Sequence, residues 1–292
     1  MKAKWLFEPD VFEDNTDKLI EIVKKQGMDA KVIPYVPFDD VLVDRCTRMY
    51  SDNDCVIFYG SLNFGKKLKK ASWVPGVYLD EEAFKCTAYY PPLSDLLLHY
   101  NDFIMLPYGS LVDKRDQLFE HFKTPELFIR PDSGTKEFTG FVTTLDQYND
   151  AIELAGFYDV EPDLLVLVSG AKNLKKEWRF VIVNGEVVSG SLYRDWDGTS
   201  DDYSSQDYVL SHSKSVWEEG YDQRAWELAK ICARRYNPGA AWTIDIASVE
   251  GGTYHVLEIG CFSCAGLYGN DLEKVVEAVS NAALTEWKEI YE

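Results

Sequence analysis

The chain has 292 residues, of which 46% are hydrophobic and 27% charged, a composition that supports a packed core and excludes a disordered chain. Its net charge of −19 repels polyanions, which argues against nucleic acid and anionic membrane surfaces as partners. No run approaches the roughly 18–20 apolar residues of a membrane-spanning helix, and residues 1–10 lack the apolar centre of a signal peptide, so a cytoplasmic protein is expected.

Residues 4–7, 16–26 closed by Gly27, 30–35 and 55–59 alternate between short apolar runs and amphipathic ones. This is the strand–helix pattern of an open α/β layer with a largely parallel sheet. Tyr90-Pro91-Pro92 and Leu106-Pro107-Tyr108-Gly109 punctuate its end, so the expected division is an α/β unit over 1–110 and a second unit over 111–292. From residue 126 onward the pattern changes to extended runs at 127–131, 164–169, 177–193 and 241–260, with helices expected at 218–236 and 272–291. The six cysteines fall mostly inside apolar runs and read as reduced, buried thiols. Cys261-Phe-Ser-Cys264 has neither a second cysteine pair nor a nearby histidine for zinc.

Two hairpins carry the chemistry. In the first, 241–249 returns as 253–260 through Gly251-Gly252, a preferred hairpin turn. Counting back from the glycines sets Asp245 directly opposite Glu258 and places Trp242, Ile244 and Ile246 with Leu257 and Ile259 on an apolar face. Carboxylates facing each other repel. A magnesium ion shared with substrate phosphates, a shared proton, or a lysine or arginine from elsewhere would each neutralise the pair. In the second, 177–183 returns as 186–194 through Asn184-Gly185. The same count puts Arg179 beside Gly190 and Lys175 beside Arg194, gathering Lys175, Glu177, Arg179 and Arg194 into a phosphate clamp or a solvated charged face. Residues 127–131 place Phe128 and Arg130 on one strand face, ahead of a glycine-bearing loop with Lys136. Gly60-Ser61 after the 55–59 strand could bind an anion or form an ordinary turn, and the acidic stretch 195–208 could recognise a cationic acceptor or be a solvated loop.

In this order, Arg130-Pro131 with the Lys136 loop, the run 164–169, Glu177-x-Arg179 and the Asp245/Glu258 hairpin resemble an ATP-grasp domain. Tyr59-Gly60-Ser61, Trp73-Val-Pro-Gly76, Ser191-Leu-Tyr-Arg194 and Cys264-Ala-Gly-Leu-Tyr268 are similar to an ATP-grasp clade frequent in phages and bacteria, which for a phage-encoded chain would mean the host cytoplasm. The resemblance implies an α/β (α+β) protein: an N-terminal open α/β pre-grasp domain followed by an ATP-grasp domain with two α+β subdomains. It also implies that Arg130 and Lys136 contact the phosphates and that the backbone of Leu167, Val168 and Ser169 meets the adenine. Glu177, Arg179 and Arg194 would line the nucleotide and acyl-phosphate site, and Asp245 and Glu258 would hold magnesium. The expected activity is an ATP- and Mg2+-dependent carboxylate-amine ligase releasing ADP and phosphate, its acceptor a metabolite, peptide or protein. Two departures stand out: arginine replaces the usual lysine at 130, and Gly260 replaces the metal-binding asparagine usual two residues after the glutamate. The rival readings are a catalytically silent nucleotide- or partner-binding module and a nucleic-acid ligase. For the latter the nucleophilic lysine is missing, because the only Asp-Gly, Asp197-Gly198, follows Asp195-Trp196.

Overall fold

The computed structural model describes residues 1–12, 15–36, 38–39, 41–157, 159–196 and 214–292, with backbone only for 214–219. In chain order its elements are β1 (Lys4–Phe7), α1 (Thr16–Lys25), β2 (Asp29–Val32), α2 (Leu42–Met49), β3 (Cys55–Tyr59), α3 (Leu62–Leu68), β4 (Val74–Gly76), α4 (Cys86–Leu93) and β5 (Phe103–Pro107). Then follow α5 (Leu111–Phe122), β6 (Glu126–Pro131), β7 (Phe141–Thr144), α6 (Tyr148–Gly156), β8 (Leu165–Gly170), β9 (Leu174–Val183) and β10 (Glu186–Asp195). The last elements are β11 (Lys214–Glu219), α7 (Gln223–Arg235), β12 (Ala241–Val249), β13 (Tyr254–Cys261) and α8 (Leu272–Tyr291). No helix among the described residues is long and apolar enough to cross a membrane.

The strands form three sheets. The first, β2-β1-β3-β4, is parallel, as the alternating pattern predicts. Its central strand β3 is buried along its whole length, as parallel strands covered on both faces are. The second, β5-β8-β6-β7, is antiparallel. β5, although it precedes residue 110, pairs with β8 in this sheet. The third, β11-β10-β9-β12-β13, is also antiparallel. The helix expected from 218 starts only at Gln223, because Gly220 has φ +113° and Asp222 caps the helix by accepting from the Arg224 N–H. The residues just before it form edge strand β11 instead.

The five-stranded sheet is divided along its length. One face, with Trp178, Phe180, Ile182, Trp242, Ile244 and Ile246, packs against α4 and α7. On the other face Val181, Val183 and Ala241 lie in a core shared with α8 and the first sheet. Glu177, Arg179 and Asp245 continue that second face beyond the cover of α8, where Glu177 and Asp245 line a cleft. α8 buries Val275, Val276, Val279 and Trp287, whereas Ile290 near its end is 63% exposed. Its Ser280 Oγ accepts from Trp5 Nε1 at 3.1 Å, tying the C-terminal helix to β1.

Candidate active site

The cleft, about 300 Å³ in volume, lies between the five-stranded sheet and the β5-β8-β6-β7 sheet. The register aligns Ser191, Arg179, Asp245 and Glu258 in one row across β10, β9, β12 and β13, and Asp245 and Glu258 of that row form part of the cleft floor. Asp245 thus faces Glu258, as the glycine count predicts, with Arg179 on its other side. Nearer the turn, an extra residue at Leu257 shifts the pairing so that Ile246 meets Val256. A bulge of this kind reverses the in–out alternation. Leu257 therefore lines the cleft beside Glu258 instead of joining Ile259 on the apolar face.

The β9–β10 hairpin differs from its expected register for the same reason. Extra residues at Val188 and Tyr193 move the partners, so that Arg179 faces Ser191 and Arg194 faces Glu177. Gly190 lies opposite Phe180, whose ring fills the space expected beside Arg179: a Cβ there would be 2.4 Å from Phe180 Cε1. Lys175 does not pair with Arg194; its carbonyl accepts from the Trp196 N–H at 2.7 Å.

Each carboxylate in the row has a cationic partner. Arg179 donates from Nε to Asp245 Oδ1 at 2.8 Å and from Nη2 to Oδ2 at 2.6 Å. The guanidinium lies near the rings of Tyr193 and Tyr268, its carbon 5.6 and 5.0 Å from their centroids, and donates from Nη1 to Gly266 O at 3.0 Å. Glu258 pairs with Arg130 at 3.0 Å and with Lys136 at 3.6 Å. Burial pushes its carboxyl pKa up, but Lys136, Arg130 and Arg179 outweigh that and hold it down at about 2. Glu177 is buried, accepts from Tyr193 Oη and from Trp196 Nε1 at 2.5 Å, and has Arg194 Nη1 4.0 Å away. There burial dominates and raises the carboxyl pKa against those hydrogen bonds and Arg194.

The opposite wall is β6 and the loop after it. Phe128 and Arg130 reach the cleft from alternate positions of β6. The loop is pinned at its start: Asp132 accepts from the Thr87 N–H at 2.9 Å and from the Thr87 hydroxyl at 2.8 Å. At Gly134 an added Cβ would lie 2.7 Å from Glu81 O, so only glycine allows this approach. Lys136 follows with φ +51° and a side chain 62% exposed.

Leu167, Val168 and Ser169 lie in the middle of β8, buried and flanked by β5 and β6. Both neighbouring ladders use that backbone, so it is not available to a base. Ala171, Lys172 and Leu174, just past the strand, line the cleft instead, together with Leu98, His99 and Val142. The Ser61 N–H donates to Glu8 Oε2 at 2.6 Å and Ser61 Oγ caps α3, so this turn is used within the chain. Cys261 and Cys264 are free thiols; the loop beyond them reaches the site through Gly266 and through Tyr268, which stacks on Tyr193 at 4.7 Å. From residue 197 onward the acidic stretch lies outside the described residues.

Residues 112–278 match the family described as ATP-grasp domain, R2K clade family 2. The chain belongs to the ATP-grasp family. No curated protein sequence matches it. ATP-grasp architecture is also what solved structures share with it. D-alanine–D-alanine ligase from Bacillus anthracis superposes with a TM-score of 0.60 at 12% identity over 99% of both chains. D-cycloserine synthetase gives 0.59 at 15% identity, over 96% of this chain and 99% of that one. A macrocyclase from Microcystis aeruginosa bound with a precursor peptide gives 0.56 at 13% identity, over 97% and 99%. At these identities the likeness concerns the fold.

Asp245 and Glu258 are adjacent hard-oxygen donors that both line the cleft. Among the described residues no group of three or more His, Cys, Asp or Glu forms a metal cage. Two carboxylates without a third side-chain ligand suit magnesium that arrives shared with nucleotide phosphates.

Proposed function

We propose that this ATP-grasp chain is an ATP- and magnesium-dependent carboxylate-amine ligase that works through an acyl phosphate. The observation that carries the reading is convergence: Asp245 and Glu258 on the floor, with Arg179 paired behind Asp245, meet Arg130 and Lys136 on the opposite wall of one cleft. Such an arrangement binds and positions a polyanion that exchanges a phosphoryl group, and requires no covalent protein nucleophile.

In this reading Arg130 and Lys136 hold the phosphates, and Ala171–Leu174, rather than 167–169, supplies the backbone edge for the adenine. Asp245 and Glu258 hold the magnesium, which when bound offsets charge on the phosphoryl oxygens. Arg179, fixed by Asp245 and the two tyrosine rings, stabilises the phosphoryl group as a substrate carboxylate attacks the γ-phosphate. Arg194 and Glu177 line the adjoining acyl-phosphate region. An amine then displaces phosphate, closing a carbon–nitrogen bond. Ligase chemistry in D-alanine–D-alanine ligase and a peptide partner in the macrocyclase support a small amino acid or a peptide as acceptor class.

The test is product analysis with panels of carboxylates and amines. ADP and inorganic phosphate in equal amounts, dependent on a carboxylate, support the reading; AMP and pyrophosphate overturn it. Gly260 in place of a third ligand favours one alternative, a silent nucleotide-binding module, for which ATP would bind without turnover under any acceptor.

A further inference from the structure

One histidine that lines the cleft has a ring nitrogen left unsatisfied by the described residues. His99 lies in the irregular segment between α4 and β5. The segment is fixed by the Leu98 N–H donating to Val256 O at 2.9 Å and the Asp102 N–H donating to His99 O at 3.0 Å. The His99 side chain is 5% exposed and lines the cleft, its ring stacked on Phe128 at 5.4 Å and 11°. Its Nδ1 is buried and has no hydrogen-bond partner among the described residues. Buried polar atoms are almost always paired, so an unpartnered nitrogen on a ring that lines a binding cleft calls for a partner from outside the chain. Burial, together with Lys172 and Arg130, pushes the imidazole pKa down to about 3. The ring is therefore neutral and offers one N–H donor and one lone pair. Its position is also right for a base: Phe128 is two residues from the phosphate-side Arg130 on the same strand face, and Ala171 and Lys172 border the same end.

We propose that His99 is the specificity-determining residue for the nucleotide base, its imidazole hydrogen-bonding the 6-amino edge of adenine. This rests on the nucleotide reading above. One hydrogen bond of ordinary strength corresponds to about tenfold in affinity.

The experiment measures dissociation constants of ATP and of purine riboside 5′-triphosphate, which lacks the 6-amino group, in the presence of magnesium. Wild type is expected to bind ATP about tenfold more tightly than the analogue. His99→Phe keeps the stack but removes the nitrogens, and should weaken ATP about tenfold while leaving the analogue unchanged, so that the ratio falls to near one. His99→Leu should lose the ratio in the same way if the phenylalanine variant does not fold, and His99→Asn, with a polar atom near the Nδ1 position, should restore part of it. A wild type that does not distinguish the two triphosphates, or a ratio unchanged in His99→Phe or His99→Leu, overturns the assignment of His99 alone. A wild type that binds neither triphosphate overturns the nucleotide reading itself and the His99 assignment with it.

Discussion

Arg179 and Asp245 face each other across β9 and β12 and are joined by two hydrogen bonds, of 2.8 and 2.6 Å, with only 8% and 3% of these residues exposed. The facing carboxylates Asp245 and Glu258, taken alone, imply that neutralising one relieves repulsion and leaves stability intact or slightly raised. The arginine reverses that sign. Asp245→Asn leaves a buried guanidinium without its counter-charge, and removing one partner of such a pair costs roughly 3–5 kcal/mol. Urea unfolding of the variant should show a loss toward the lower end of that range, since the amide still accepts one hydrogen bond; an unchanged midpoint would discard the pairing.

Glu258 makes a prediction in pH. Its carboxyl titrates at about 2 in the folded protein against an ordinary 4.5, because Lys136, Arg130 and Arg179 together outweigh the effect of burial. A depressed acid stabilises the fold fully above its unfolded pKa, and the stabilisation disappears as pH falls through the folded value. Glu258→Gln should therefore be less stable than wild type at pH 7. Since a quarter of the side chain is exposed, the deficit should stay below about 3 kcal/mol. Between about pH 4.5 and pH 2 the two stability curves should converge. Curves that stay parallel through that window would remove the ion pairs from the account.

Gly190→Ala tests the bulged register of the β9–β10 hairpin. In the simple register this glycine opens space beside Arg179, and alanine would intrude on the cleft. In the structure the added Cβ meets Phe180 Cε1 and Cδ1 at 2.4 and 2.5 Å, on the face that packs against α7. The variant should lose about 1–3 kcal/mol of stability through overpacking while the nucleotide affinity of the folded fraction stays unchanged. A stable variant with weakened affinity would restore the simpler register.

What could be read in the sequence follows from where chain geometry is regular. Alternation on β12 and a Gly-Gly turn pair Asp245 with Glu258 because two departures cancel: Val249, not Glu250, meets Thr253 around a three-residue loop, and the extra residue at Leu257 restores the counted offset beyond it. The β9–β10 register departs from a simple count because two bulges, at Val188 and Tyr193, have no signature in residue type. The apolar run 164–169 announces a strand but not that the strand is interior to its sheet, and this is why the cleft-lining backbone begins only at Ala171. His99 belongs to no periodic segment, so nothing local marks it; Phe128, two residues from Arg130, was legible because a strand repeats every second residue.

The phosphate-side loop provides a last test, because its mobility is set outside the sheet that bears it. Asp132 is 5% exposed, and both its oxygens accept from Thr87, one from the N–H at the start of α4 and one from the hydroxyl. An acidic group at a helix N-terminus caps free N–H groups and suits the helix dipole, so Asp132 ties the stem of the loop to α4. Beyond this anchor, Ser133, Thr135 and Glu137 are linked by their side chains, and Lys136 projects from a left-handed position toward Glu258. Asp132→Ala should cost about 1–2 kcal/mol of stability, as lost helix caps do, and should also speed amide hydrogen exchange over 132–140. Nucleotide affinity should fall with it, since the Lys136 ammonium must then be ordered on binding. Asp132→Asn keeps an acceptor for the Thr87 N–H and should recover most of the protection and of the affinity. Exchange in 132–140 that is identical in wild type and Asp132→Ala would show that the loop is held by its own contacts, and Lys136 would then owe its position to the Ser133–Thr135–Glu137 chain and to its pairing with Glu258.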